Sequence, residues 1–213
     1  VIEGRTSIGA NSKISSLAAI GGAPQHSGYM GEDTSLEIGE NNVVREYCTI
    51  NRGTVEGGSL TSIGDNNFLM AYVHIAHDCH VGSNTIFANA ASLAGHVHVG
   101  DYAVMGGFSL VHQFCRVGAH CITGIGAVCL LDVPPYMIVA GNKAVTHGIN
   151  VKGMRRREFT EEDILVLKRA YKTFYRSDFS MKDGLSKLEA MGDNPHLVSL
   201  IGFLRSTERG VIR

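Results

Sequence analysis

From Ile63 onward every sixth residue is apolar: Ile63, Leu69, Ile75, Val81, Phe87, Leu93, Val99, Met105, Val111 and Val117. Hydrophobic residues make up 44% of the chain. Ten such positions in a row would arise by chance roughly once in several thousand trials, so the period is an internal repeat. The following residue is usually small (Gly64, Ala76, Gly82, Ala88, Ala94, Gly100, Gly106, Gly118), with Met70 and His112 as exceptions. The same phase runs earlier through Ile8, Ile14 and Ile20, and again through Ile38, Val44 and Ile50. A period of six is neither the 3.6 of a helix nor the 2 of a lone strand. It predicts a parallel β-helix built from hexapeptides, each a short strand plus a turn. Three hexads close one triangular coil, and the apolar residues stack into a continuous core. The period says nothing of handedness.

Two segments break the phase. Residues 21–37 interrupt it and restore it, and residues 51–62 shift it by one, so both are expected to loop out of a coil. Such loops either carry function on a rigid scaffold or are tolerated surface insertions. The hexads stop after Pro134-Pro135. Thr160 and Asp163 have capping-box spacing, and Ile164, Leu167, Tyr171, Phe174 and Tyr175 follow at helical spacing, an aromatic stripe expected to be core. Ser180 caps a second helix ended by Gly192, and Asn194-Pro195 opens a third with Gly210 near its end. Residues 1–150 therefore read as the β-helix and residues 151–213 as a small helical domain, which can cap the open solenoid end.

Charge supports that division. Residues 1–151 hold 6 basic and 11 acidic side chains, residues 152–213 hold 13 and 9, giving −5 and +4 and the net −1 of the whole. A near-neutral chain excludes a nucleic-acid reader that depends on phosphate charge. No apolar run approaches the roughly 18 residues of a bilayer span, so no stable membrane insertion is expected. The five cysteines (Cys48, Cys79, Cys115, Cys121, Cys129) form no CxxC pair. They argue against a disulfide framework or a zinc site and for a reducing, cytoplasmic setting.

Seven of the ten histidines lie between His74 and His120. His77 is the third residue of its hexad and is expected to face outward. His96 follows 19 residues later, close to the 18 of one coil, which sets it beside His77 one coil up. His112 stands at a corner where small residues are the rule, and such local violations mark functional positions. A neutral imidazole oriented by a carboxylate such as Asp78 suits general-base removal of a proton from an alcohol. Imidazole also binds metals, as in zinc hydratases of the hexapeptide class that use two histidines five residues apart. No pair here has that spacing in the repeat. The remaining possibility is that these histidines fill surface or inter-subunit positions.

The segments HIAHDC (74–79), LAGHV (93–97), VHQFC (111–115), DVPPY (132–136), GINVKGMRRR (148–157) and the terminal SxxRGVIR occur in the order seen in the UDP-N-acetylglucosamine acyltransferase family, which the whole chain resembles. The resemblance implies a left-handed β-helix and a homotrimer with active sites between neighbouring chains. It implies transfer of a 3-hydroxyacyl group from acyl carrier protein to the 3-hydroxyl of UDP-N-acetylglucosamine, the first step of lipid A biosynthesis. It implies His77 as general base, Asp78 as its orienting partner and the Gly95 N–H as oxyanion donor. Gln25, His74, His96, His112 and Gln113 would line the substrate cleft. Asn150 and Arg156 would contact the nucleotide with Arg157 beside them, unless residues 155–157 are a solvated basic turn. Ile125 occupies the place of the acyl-chain ruler, where a bulky residue implies a shorter chain. Attack on a thioester needs a base and an oxyanion donor, so no metal or cofactor is expected.

The chain departs from the family where Gln-Asp-Leu-Lys-Tyr is common: here the loop reads Gln25-His26-Ser27-Gly28-Tyr29. Lys152 replaces a usual Glu, and Asn51 a frequent His. These changes leave open an acyltransferase acting on a different, 3-amino sugar nucleotide, or a non-catalytic trimeric scaffold. Relatives carry two to three further coils before the position of Val1, so N-terminal coils are expected to be missing.

Overall fold

The computed structural model describes all residues, 1–213. Three parallel sheets form the faces of a triangular prism that winds left-handed. The first face stacks Ala19–Gly22, Thr49–Asn51, His74–Ile75, Ser92–Leu93, Leu110–Val111 and Val128–Cys129. The second stacks Arg5–Ile8, Ser35–Ile38, Leu60–Ile63, His80–Val81, His98–Val99 and Arg116–Val117. The third runs from Lys13–Ile14 through Val43–Val44, Phe68–Leu69, Ile86–Phe87, Val104–Met105 and Ile122–Thr123. All ten apolar repeat positions are buried, as the period requires. Five buried cysteines are free, and burial pushes the Cys79 thiol up to about 12, so it is an inert core residue.

The corners obey a rule the apolar period does not reveal. Every sixth residue from Asn66 to Gly126 has φ between 57° and 66°: Asn66, Tyr72, Asp78, Asn84, Ala90, His96, Tyr102, Phe108, Phe114, His120 and Gly126. Left-handed backbone costs an L-residue roughly 1–2 kcal/mol. Several of these residues meet their counterparts in the adjoining coil: Tyr47 stacks on Tyr72 at 4.8 Å, His96 on Phe114 at 4.3 Å and Tyr102 on His120 at 4.8 Å between ring centroids. Stacking of this kind contributes about 0.5–1.5 kcal/mol per pair and offsets the strain.

Both interruptions leave from the first face, after Ala19–Gly22 and after Thr49–Asn51. Residues 23–34 and 52–59 therefore emerge on one edge of the prism, the edge that carries His77 and Asp78 one coil further on.

Beyond the Pro pair the chain does something the hexads do not foretell. Met137–Ala140 joins the third face in parallel, and Val145–Ile149 returns antiparallel to it. Four helices follow: α1 (Val151–Arg155), α2 (Glu161–Tyr175), α3 (Met181–Glu189) and α4 (Pro195–Arg205). The Thr160 capping box, the Ser180 cap and the Asn194 cap form as expected, while α1 is an addition. Ile164, Leu167, Ala170 and Phe174 bury against Leu188, Leu197, Leu200 and Leu204. Gly210 does not end α4. It lies in the tail that bridges back from Val211 to Asp132. No helix is long and apolar enough to cross a membrane.

The corner rule has a sign that is easily tested. Ala90 sits at a left-handed corner and Ala88 does not. Ala90→Gly is expected to raise stability in urea denaturation by about 0.5–1 kcal/mol, and Ala88→Gly to lower it by a similar amount.

Candidate active site

The site is built on the edge where both loops emerge. Asp78 is 1% exposed and sits in a left-handed corner, its N–H donating to Thr61 Oγ1 at 2.8 Å. Thr54, from the 52–59 loop, donates its N–H to Asp78 Oδ1 (2.7 Å) and its hydroxyl to Oδ2 (2.6 Å). Gly57 of the same loop packs so closely that a Cβ there would lie 2.0 Å from Asp78 Cγ. His77 Nδ1 lies 2.7 Å from Oδ2. A carboxylate can only accept here, so Nδ1 carries the proton and Nε2 is left with a free lone pair.

His77 turns outward from the core, as its place in the hexad implies, yet the residue is only 8% exposed. The corner does aim it away from the core, but neighbouring loop and corner residues cover it. His26 of the 23–34 loop stands edge-on at 5.4 Å, and His96 edge-on at 5.1 Å from one coil up. The covering loop is tied down by Asn51 Nδ2, which donates to Ala23 O at 2.7 Å, and by Arg52, which donates to Gly21 O and to Tyr29 Oη.

Gly95 stands directly above the base. A Cβ there would lie 2.6 Å from His77 Cε1 and 2.8 Å from Nε2, so glycine is required for the imidazole to sit where it does. The Gly95 N–H has no partner within the chain. His96 Nε2 is 3.7 Å from Asp78 Oδ2, and burial, the largest effect, pushes His96 below the ordinary imidazole range. His74 points outward from the first face with Nδ1 2.7 Å from Thr49 Oγ1, and burial lowers it as well. The donor atoms of His77, Asp78 and His96 lie within 4.8 Å of one another, the one group of three such side chains placed to hold a metal ion. Both Asp78 oxygens and His77 Nδ1 already hold hydrogen bonds, which suits proton transfer better than ligation.

The other expected residues are spread over the prism. Gln25 is exposed beside His26, and Gln113 is exposed two coils above His77. His112, next to it, is exposed with its Nδ1 3.4 Å from the Arg209 guanidinium of the C-terminal tail. Asn150, Arg156 and Arg157 lie on a different edge, in a cleft of about 410 Å³ with Ile86, Tyr102, Val104, His120 and Lys152. Arg157 rests over Tyr102, 4.5 Å from its centroid. Asn150 is 4% exposed, and its side chain accepts from Gly153 N and donates to His120 O, which fixes the start of α1 at the wall of the cleft. The free cations of that cleft are Lys152, Arg156 and Arg157. Ile125 is 84% exposed on the third edge. Within one chain, the structure gathers Asp78, His77, Gly95, His96 and His74, and leaves the cationic cleft and Ile125 apart.

Sequence reasoning missed Thr54 and Thr61, which hold the carboxylate, and saw His26 only as a departure. The phase of the two interruptions contains the clue, because both follow strands of the face that leads into His77.

A family model described as UDP-N-acetylglucosamine O-acyltransferase, domain 2, matches residues 132–212, and one for six bacterial transferase hexapeptide repeats matches residues 60–95. The acyl-[acyl-carrier-protein]–UDP-N-acetylglucosamine O-acyltransferase of Thiobacillus denitrificans is 50% identical over 202 residues, covering 94% of this chain and 78% of that protein. Its counterpart in Alkalilimnicola ehrlichii is 51% identical over 198 residues, 92% of this chain and 77% of that one. The solved UDP-N-acetylglucosamine acyltransferase from Bacteroides fragilis superposes with a TM-score of 0.97 at 39% identity, covering 100% of this chain and 83% of that one. That from Moraxella catarrhalis gives 0.95 at 41% identity, over 98% and 82%.

His120, beside the cationic cleft, supplies a pH prediction. Burial, then His196 and Arg157, push its pKa from 6.5 down to about 4. In that window the unfolded chain binds the proton and the folded chain does not, so stability falls as pH drops from 6.5 towards 4. Thermal melts at pH 7 and pH 5 are expected to show a smaller acid-induced loss for His120→Phe than for the unsubstituted protein.

Proposed function

The chain belongs to the UDP-N-acetylglucosamine O-acyltransferase family, and from that premise we propose that His77 is the general base of its reaction. The activity is O-acyl transfer from acyl carrier protein to UDP-N-acetylglucosamine, the opening reaction of lipid A biosynthesis. The carrying observation is the Asp78–His77–Gly95 arrangement: a carboxylate held by Thr54, an imidazole held by the carboxylate, and a free backbone N–H beside the imidazole.

Nε2 of His77 takes the proton of the sugar 3-hydroxyl as its oxygen attacks the thioester carbonyl of a 3-hydroxyacyl chain. The Gly95 N–H stabilises the oxyanion of the tetrahedral intermediate. Collapse breaks the C–S bond, and the departing thiolate takes the proton back from Nε2, leaving an ester and a free carrier thiol. The Nδ1–Asp78 bond stabilises the imidazolium formed between those steps. His74, His96, His112, Gln25 and Gln113 border the path of the substrates along this edge. Ile125 limits the acyl chain to a shorter length.

The base and the cationic cleft lie on different edges of one prism. A site using both needs a neighbouring copy, which supports a homotrimer with Arg156 and Arg157 of one chain serving the base of the next. Arg guanidinium groups suit the diphosphate of the acceptor. In this reading residues 1–150 carry the chemistry, residues 151–213 complete the cleft, and the enzyme works in the cytoplasm where its carrier-bound substrate is made.

Mass spectrometry of UDP-N-acetylglucosamine incubated with 3-hydroxyacyl carrier proteins is expected to show the acylated product. His77→Ala should lower the rate by about 10²–10⁴-fold, the usual worth of a general base. Trimers co-assembled from His77→Ala and Arg156→Ala/Arg157→Ala chains should regain activity at about a quarter of their sites, as random mixing in a closed ring gives. Absence of that rescue would place each site within one chain.

A further inference from the structure

A second histidine cluster lies outside the catalytic one, on the outer side of the second face. His80 and His98 are register partners on adjacent parallel strands, so their side chains leave the sheet in the same direction. Their ring centroids are 4.8 Å apart and the rings are tilted by 49°. One rung before them is Ser62, whose Oγ lies 2.8 Å from His80 Nδ1. When Nδ1–H donates to that hydroxyl, Nε2 keeps its lone pair and is aimed by the bond, the outer-shell arrangement typical of metal-binding histidines. His98 Nδ1 and Nε2 have no hydrogen-bond partner in the chain. The two rings line an open groove of about 450 Å³ together with Gly82, Gly100, Gly118, Arg116 and Phe203.

We propose that His80 and His98 chelate one divalent transition-metal ion of borderline character, zinc, copper or nickel, across two coils of the solenoid. Adjacent parallel strands are about 4.8 Å apart, close enough for small side-chain rotations to bring two imidazole nitrogens onto one ion with bonds of about 2.0–2.1 Å. Imidazole donors without thiolate or carboxylate select this class over magnesium or calcium. The remaining coordination positions open into the groove and take water. The next rung, Arg116, lines the same groove, and its charge is shared with groups beyond the two rings. Its guanidinium turns away to Asp132 Oδ2 (3.3 Å), Ser206 Oγ (2.9 Å) and Phe203 O (3.0 Å), which compensates its charge. A bound ion would staple one coil to the next and stabilise the solenoid.

Calorimetric titration of tag-free, chelator-stripped protein with Zn²⁺ tests the site, with His80→Gln, His98→Gln, Ser62→Ala and His77→Gln alongside. The proposal expects a binding event that is absent in His80→Gln and in His98→Gln, kept in His77→Gln, and weakened about 10-fold in Ser62→Ala. Metal-free melts matching the unsubstituted protein would establish that both glutamine variants are folded. Identical isotherms for the unsubstituted protein and His98→Gln would overturn the proposal, as would a single event abolished by His77→Gln.

Discussion

Asp78 is the residue through which the scaffold, the loops and the reactive imidazole are joined. Its carboxylate is buried, and its three hydrogen bonds come from the Thr54 N–H, the Thr54 hydroxyl and His77 Nδ1. Its own N–H is held by Thr61. Removing the carboxylate would leave Thr54 and His77 with buried polar atoms unpaired, a cost of about 1–3 kcal/mol for each group. It would also free the 52–59 loop and the tautomer of His77 together. The left-handed corner at position 78 is what turns this side chain sideways along the edge, where both the loop and the preceding histidine can reach it.

The solenoid supplies rigidity to that edge by repetition. Each coil presents the same three inward residues and three left-handed corners, so a functional group placed at one corner meets its counterpart in the next coil. His77 beneath Gly95, and Asp78 beneath His96, are such vertical relations. They explain why a glycine interrupts the column directly over the base: the space it leaves is filled by the imidazole itself. The helical region is locked to the prism through Arg116 and Asp132, which bond to Ser206, Phe203 and Thr207.

Much of this was legible in the sequence. The period from Ile63 to Val117 names the inward residues, and 18 residues per coil puts His96 beside His77. Caps at Thr160, Ser180 and Asn194 mark three helices because their side chains satisfy orphan N–H groups wherever they occur. What was not legible depends on contacts between distant segments. His77 reads as outward from its hexad position, and only the two loops and His96 reveal why it is buried. Thr54 carries no spacing signal, because it reaches Asp78 across a loop that has left the repeat. The Met137–Ile149 hairpin and α1 follow the last hexads without their period. The part Asn150 plays in capping α1 carries no spacing signal, because its amide also reaches back to His120 O on the last coils. Counting corners separates His77 from Ile125, whereas the place of Arg156 and Arg157 depends on the hairpin and α1 that follow the repeat.

The account stands on the tautomer of one imidazole. Nitrogen NMR of the isotopically labelled protein at neutral pH would assign the His77 ring, with Asp78→Asn as reference. The structure predicts a proton on Nδ1 and a bare Nε2 in the unsubstituted protein, and a ring signal that changes when the carboxylate is replaced. A proton on Nε2, or a signal indifferent to Asp78→Asn, would contradict the dyad and the mechanism built on it.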